Sequence, residues 1–115
     1  MSTAIGRLAE ETALRYLEQS GHKLIAKNWR TRWCEIDLIT KKAGIIYFVE
    51  VKYRRSANFG SGIEYITAAK IKQMNFASEF WISANRPAAN SNCKLAAISL
   101  SGEPPVVDEW IDDIL

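Results

Sequence analysis

Apolar residues along the chain follow two periods. From Ile5 to Ser20, the residues Ile5, Leu8, Ala9, Ala13, Tyr16 and Leu17 recur at the spacing of one helical face, and Gly21 stands where a helix stops. The period then shortens. Lys23 to Arg30, with Leu24-Ile25-Ala26 at its heart, reads as a strand leading into a basic turn, Arg30-Thr31-Arg32. Glu35 to Thr40 is predicted as a second strand, Lys41 to Gly44 as a turn, and Ile45 to Tyr53 as a third strand rich in β-branched and aromatic residues. Ser56, Gly60, Ser61 and Gly62 mark a loop. Thr67 is the predicted N-cap of a second helix reaching about Ser83, with Ile66, Met74, Ala77 and Trp81 as its buried stripe. Asn85 to Asn92 is a polar loop around Pro87, and Lys94 to Ser101 is a fourth strand. Val106 to Leu115, beyond Pro104-Pro105, is a short strand or a helical tail. The order α-β-β-β-α-β predicts a mixed α/β layer.

The middle strands carry charge in an unexpected place. With Lys41 to Gly44 as a four-residue turn, Asp37 pairs with Phe48 and Glu35 with Glu50. Directly paired residues share a face, and faces alternate along each strand. Glu35, Asp37, Phe48, Glu50 and Lys52 then fall on one face, with Asp37 diagonal to Glu50. Ile36, Leu38, Tyr47, Val49 and Val51 form a wholly apolar opposite face. Carboxylates gathered on a sheet repel one another. Lys52 is one candidate to offset them, and a bound divalent cation is another, since Mg²⁺ takes one or two carboxylates together with waters and phosphates. The plainer alternative is a solvated face with a cross-strand ion pair.

Two helical residues reach toward the same region. Glu10 sits on the shoulder of the first helix's apolar stripe, and Lys70 sits within the stripe of the second helix. An ammonium in a first turn can hold phosphate beside the backbone donors there, or it can snorkel into solvent. Basic and aromatic residues also cluster, at Trp29-Arg30-Thr31-Arg32-Trp33, at Lys41-Lys42 and at Tyr53-Arg54-Arg55. Such clusters can hold phosphates and stack on exposed bases.

Composition narrows the classes. The chain has 115 residues, 48% hydrophobic and 24% charged, as expected of one ordinary globular domain. A net charge of +2 is too small to argue nucleic-acid binding by itself. Cys34 and Cys93 form no C-x-x-C pair and suggest two reduced thiols. The single histidine, His22, reads as a surface turn residue and makes a multi-histidine zinc site or a Ser-His-Asp triad improbable. No signal peptide or membrane-spanning run is apparent, so the expected compartment is the cytoplasm.

Taken in order, Gly6-x-x-x-Glu10, "EIDLI" at Glu35 to Ile39, "FVEVKYR" at Phe48 to Arg54, Phe59-Gly60 and Lys70 resemble the YraN-like bacterial family. That family is similar to the restriction-endonuclease-like superfamily, with its Asp…(Asp/Glu)-x-Lys motif, and to archaeal Holliday-junction resolvases. Cys34 and Ala9 stand where the family usually has glycine, and Leu95-Ala96 where it usually has an aspartate after an aromatic.

The resemblance implies a restriction-endonuclease-like αβββαβ core, a mixed sheet flanked by helices. It implies Asp37 and Glu50 as metal-binding acids, with the Val51 carbonyl completing the shell, Lys52 as the residue that orients water, and Glu10 as the helix acid. Lys70 and Arg54 become phosphate contacts, joined by Arg55, Arg30 and Arg32 from the basic clusters. The expected activity is a Mg²⁺-dependent DNA endonuclease, with Mn²⁺ as a substitute and branched or flapped DNA as candidate substrates. A homodimer is a candidate assembly. The alternatives are a non-catalytic nucleic-acid-binding module, and an adaptor using the Trp-rich turn or the acidic tail from Asp108 to Asp113.

Overall fold

The structure, a computed structural model, describes residues 3–56, 66–85, 87 and 91–115. Helix α1 (Ala4–Gln19) precedes strands β1 (Lys23–Arg30), β2 (Glu35–Lys42) and β3 (Ile45–Arg54); helix α2 (Ala68–Ala84) then leads to β4 (Asn92–Ser101) and β5 (Val106–Ile111). The tail left open as strand or helix is therefore a strand. The expected Phe59-Gly60 element and most of both loops flanking α2 lie outside the described residues.

All five strands form one sheet in sequence order, β1-β2-β3-β4-β5. Neighbours are antiparallel except β3 and β4, which run parallel because α2 carries the chain back between them. With both flanks paired and both faces covered, β3 can afford the nearly unbroken apolar run Ile45 to Val49.

The helices take opposite faces. Ala13 and Leu17 of α1 pack with Leu38, Tyr47, Val49, Ala96, Ile98 and Leu100. Met74, Ala77 and Trp81 of α2 pack with Ile36, Ile39, Ile46, Phe48 and Leu95. Full burial of Phe48 or Leu17 contributes roughly 2–3 kcal/mol each. The α1 stripe is narrower than its spacing suggests: Ala9, Ala13 and Leu17 are buried, whereas Leu8 and Tyr16 are exposed. On β1, Leu24 and Ile25 are exposed as well, since this edge strand bulges between Leu24 and Ala26.

Three local features correct the expected geometry. Ala43 and Gly44 both have positive φ (51° and 79°), so the hairpin closes through a two-residue turn and Lys42 pairs with Ile45. The register moves by two residues from the one expected, which keeps the faces but changes the partners. Asn28 also has positive φ (50°), between the pairs Lys27↔Leu38 and Trp29↔Ile36. On β2 strict alternation fails: Ile36 packs with Ile39 and Phe48 instead of joining Leu38 on the α1 face.

The third feature is at the end of α1. Gly21 (φ 97°) and His22 donate their N–H groups to Glu18 and Leu17, at 3.1 and 2.9 Å, the paired bonds of a Schellman motif. That geometry folds the residue after the glycine back onto the helix. His22 is therefore buried at 5% exposure and is not a surface turn residue. Its Nδ1 lies 2.8 Å from Thr40 Oγ1, between the rings of Tyr47 and Trp110.

Candidate functional site at the β2–β3 opening

The pairing of β2 with β3 runs from Lys42↔Ile45 to Leu38↔Val49 and ends before Asp37. Continued by one step, the register sets Asp37 opposite Glu50, which replaces the expected diagonal arrangement and the expected Glu35–Glu50 pair. Here the Asp37 side chain takes the place of a backbone partner: its Oδ2 accepts the Val51 N–H at 2.8 Å. The bond ties the acid to the backbone between Glu50 and Lys52.

Electrostatics at Asp37 are unfavourable. Burial and then the Glu50 carboxylate push its pKa up to about 7; the Val51 N–H pulls against this, while the Glu50 side chain and the more distant Glu10 on α1 add to it. Asp37 thus holds its proton to near neutral pH. On β4, the neighbours of Glu50 and Lys52 are Ala97 and Ser99, small residues that bring no charge.

Lys70 brings a positive charge to Glu50. Thr67 caps α2 by accepting the Lys70 N–H at 3.1 Å, which starts the helix so that the Lys70 side chain faces β3. Its Nζ then lies 3.0 Å from Glu50 Oε2. Burial alone would lower the Lys70 pKa; the carboxylates of Glu50, Asp37 and Glu35 outweigh it and raise it. Glu50, Lys52, Thr67 and Lys70 line one depression.

The remaining expected residues spread outward. Glu10 is half-buried and lines a separate depression with Lys27 and Asn28. Arg54 ends β3 half-buried, and Arg55 pairs with Glu103 at 3.3 Å on the surface. Arg30 pairs with Glu35 at 3.8 Å, both well exposed, and Arg32 lies over the Trp33 ring at 5.4 Å. The structure brings together Asp37, Glu50, Lys52, Val51 and Lys70, with Glu10 in electrostatic reach; Arg30 lines a groove with Lys70, while Arg55 is engaged by Glu103 and Arg32 by the Trp33 ring.

Sequence reasoning missed Phe76, Phe80 and Lys72. Phe76 and Phe80 lie off the α2 stripe, one turn apart, and Phe80 gathers Trp29, Trp33 and Phe76 at centroid distances of 6.0, 5.8 and 6.2 Å. Their i, i+4 spacing was the available signal.

Among the described residues, no cluster of three or more His, Cys, Asp or Glu side chains forms a metal cage. The donor set is two carboxylates beside a backbone segment. That is too sparse for zinc but matches the usual protein share of a Mg²⁺ site, whose other ligands are waters and phosphate oxygens.

The chain itself is similar to known proteins. The family model described as "Uncharacterised protein family UPF0102" matches residues 9–100. A UPF0102 protein of Neisseria meningitidis serogroup C is 38% identical over 109 residues, spanning 95% of this chain and 92% of the relative. UPF0102 proteins of Xanthomonas campestris (35% over 108 residues, 94% and 88%) and Pseudomonas putida (35% over 100 residues, 87% and 81%) are also similar. The chain belongs to the UPF0102 family, the YraN-like family that its motifs resemble.

Proposed function

We propose that this protein is a Mg²⁺-dependent DNA endonuclease with a restriction-endonuclease-like fold. The observation that carries the reading is the meeting of Asp37 with Glu50 and the Val51 backbone where β2 and β3 part. The α-β-β-β-α-β order and the acid, acid-x-lysine pattern support the fold assignment.

Asp37, Glu50 and the Val51 carbonyl would hold the cation. When bound, Mg²⁺ polarises a phosphoryl oxygen and lowers the pKa of a coordinated water. The chain's own groups do the positioning. Lys52, two residues after Glu50 on the same face, orients the water and stabilises charge developing on the phosphate. Lys70 contacts the phosphate from the first turn of α2 once Glu50 turns to the cation. Glu10 deepens the negative potential around Asp37. Arg54, Arg55, Arg30 and Arg32 contact the phosphate backbone farther out. Branched or flapped DNA is the proposed substrate, a homodimer the proposed assembly, and the cytoplasm the proposed compartment.

A second reading, a non-catalytic nucleic-acid-binding module, draws on one observation: the Lys70 ammonium already neutralises Glu50. Cleavage of linear, flapped and four-way DNA across a Mg²⁺ titration separates the two. The nuclease reading expects metal-dependent products from the wild type and none from Asp37→Ala. Equal cleavage by both proteins would sink it, and salt-sensitive binding without turnover would select the binding module.

A further inference from the structure

An open groove of about 760 Å³ runs between the β1–β2 turn and α2. Trp33 and Phe76 line it, 66% and 51% exposed, with Arg30, Lys70 and Lys72 beside them. Glu35, the one acid on its wall among the described residues, is engaged by Arg30 at 3.8 Å. Ala69, Lys70 and Gln73 line both this groove and the depression that holds Glu50 and Lys52, so the two adjoin.

The aromatic end is built to hold its shape. Half-buried Phe80 supports both the Trp33 and the Phe76 rings. Thr31 Oγ1 accepts the N–H groups of Trp33 and Cys34, at 3.1 and 3.2 Å, fixing the turn that presents the indole. Exposed rings beside cations are the combination by which proteins hold unpaired nucleic acid, and here they adjoin the depression of Glu50, Lys52 and Lys70.

We infer that this groove binds a single-stranded nucleic-acid segment, with a base stacked on Trp33 and Phe76 and its phosphates on Arg30 and Lys72. A duplex offers only base edges, because its base faces are already stacked on one another. An aromatic face can engage only a base that has left the stack. The inference rests on the nuclease reading for the position of the scissile phosphate, and it makes the substrate one whose strand is unpaired next to the cut.

Fluorescence polarisation with labelled oligothymidine and with a duplex of equal length, in chelator, reads binding without cleavage. Wild type should bind the single strand more tightly than the duplex. Trp33→Ala should weaken single-strand binding by about 5- to 100-fold while changing duplex binding by less than about twofold. Phe76→Ala should act in the same direction, and Trp33→Phe, which keeps a ring, should recover most of the affinity. Equal losses on both nucleic acids, or no loss in either alanine variant when circular dichroism reports a native fold, would overturn the inference. So would a dimer that dissociates in Trp33→Ala while oligothymidine affinity stays constant, which would assign the face to self-association. Single-strand binding without any metal-dependent cleavage supports the groove and removes the nuclease reading; Asp37-dependent cleavage by a protein indifferent to strandedness does the reverse.

Discussion

Thr40 and Asp37 lie three residues apart on β2, and each carries a polar side chain into the fold with an opposite result. Thr40 is fully buried and meets His22 at 2.8 Å inside a ring of aromatics. Burial, and then Lys42, lower the His22 pKa, so the pair is neutral and complete within the protein. Asp37 bonds to a backbone N–H yet faces a second carboxylate, and its pKa rises to about 7. One end of the strand satisfies its polar groups internally. The other sets two carboxylates together, one of them paired with Lys70. A structural polar pair closes on itself, whereas a site leaves chemistry unfinished.

The largest effect that separates the two ends is on turnover. Asp37→Asn should lower DNA cleavage by at least about 10³-fold, measured as initial rate at saturating Mg²⁺. His22→Ala should leave the rate per folded molecule unchanged. It should instead lower unfolding free energy by about 1–3 kcal/mol in urea denaturation, through the lost hydrogen bond and ring contacts.

Opposite pH dependences follow next. The Asp37 pKa is higher in the folded chain than its ordinary 3.8, so the folded state holds the extra proton. The associated stability is present at acid pH and is lost as pH rises from about 4 through about 7. The His22 pKa is lower than its ordinary 6.5, so its stability is present above that value and is lost as pH falls below it. Asp37→Asn should therefore gain about 1–3 kcal/mol over wild type at pH 8 and little at pH 4, by thermal melts in metal-free buffer. His22→Ala should lie closest to wild type at the acid end. Smallest of all, Arg30→Ala should change stability by less than about 0.5 kcal/mol, because its 3.8 Å pair with Glu35 is exposed to solvent.

Periodicity made most elements legible. Thr67 caps α2 as expected, and β1 keeps its predicted limits. Register was less legible, because the two-residue turn places Ala43 at positive φ, a conformation that alanine does not advertise. Ile36 changes face where the β2–β3 pairing ends before Asp37, a break in alternation that no pattern of apolar residues encodes. His22 looked like a turn residue because it follows Gly21, yet the Schellman bonds turn it inward. The acidic cluster was readable because the two-residue register error preserves faces, so Asp37 and Glu50 converge in either register. Lys70 was readable as a charge within an apolar stripe, although not its engagement with Glu50. The aromatic groove was not, because it joins the β1–β2 turn to α2 across a long stretch of chain.

The central claim is that the charge left over at Asp37 and Glu50 is there for a divalent cation. Electron paramagnetic resonance of Mn²⁺, a visible stand-in for Mg²⁺, tests it most directly at about pH 8, one unit above the Asp37 value of about 7. The account predicts that the wild type takes up an ion that Mg²⁺ displaces, and that Asp37→Asn takes up none. Equal uptake by both proteins, or none by either with the DNA substrate present, would contradict it.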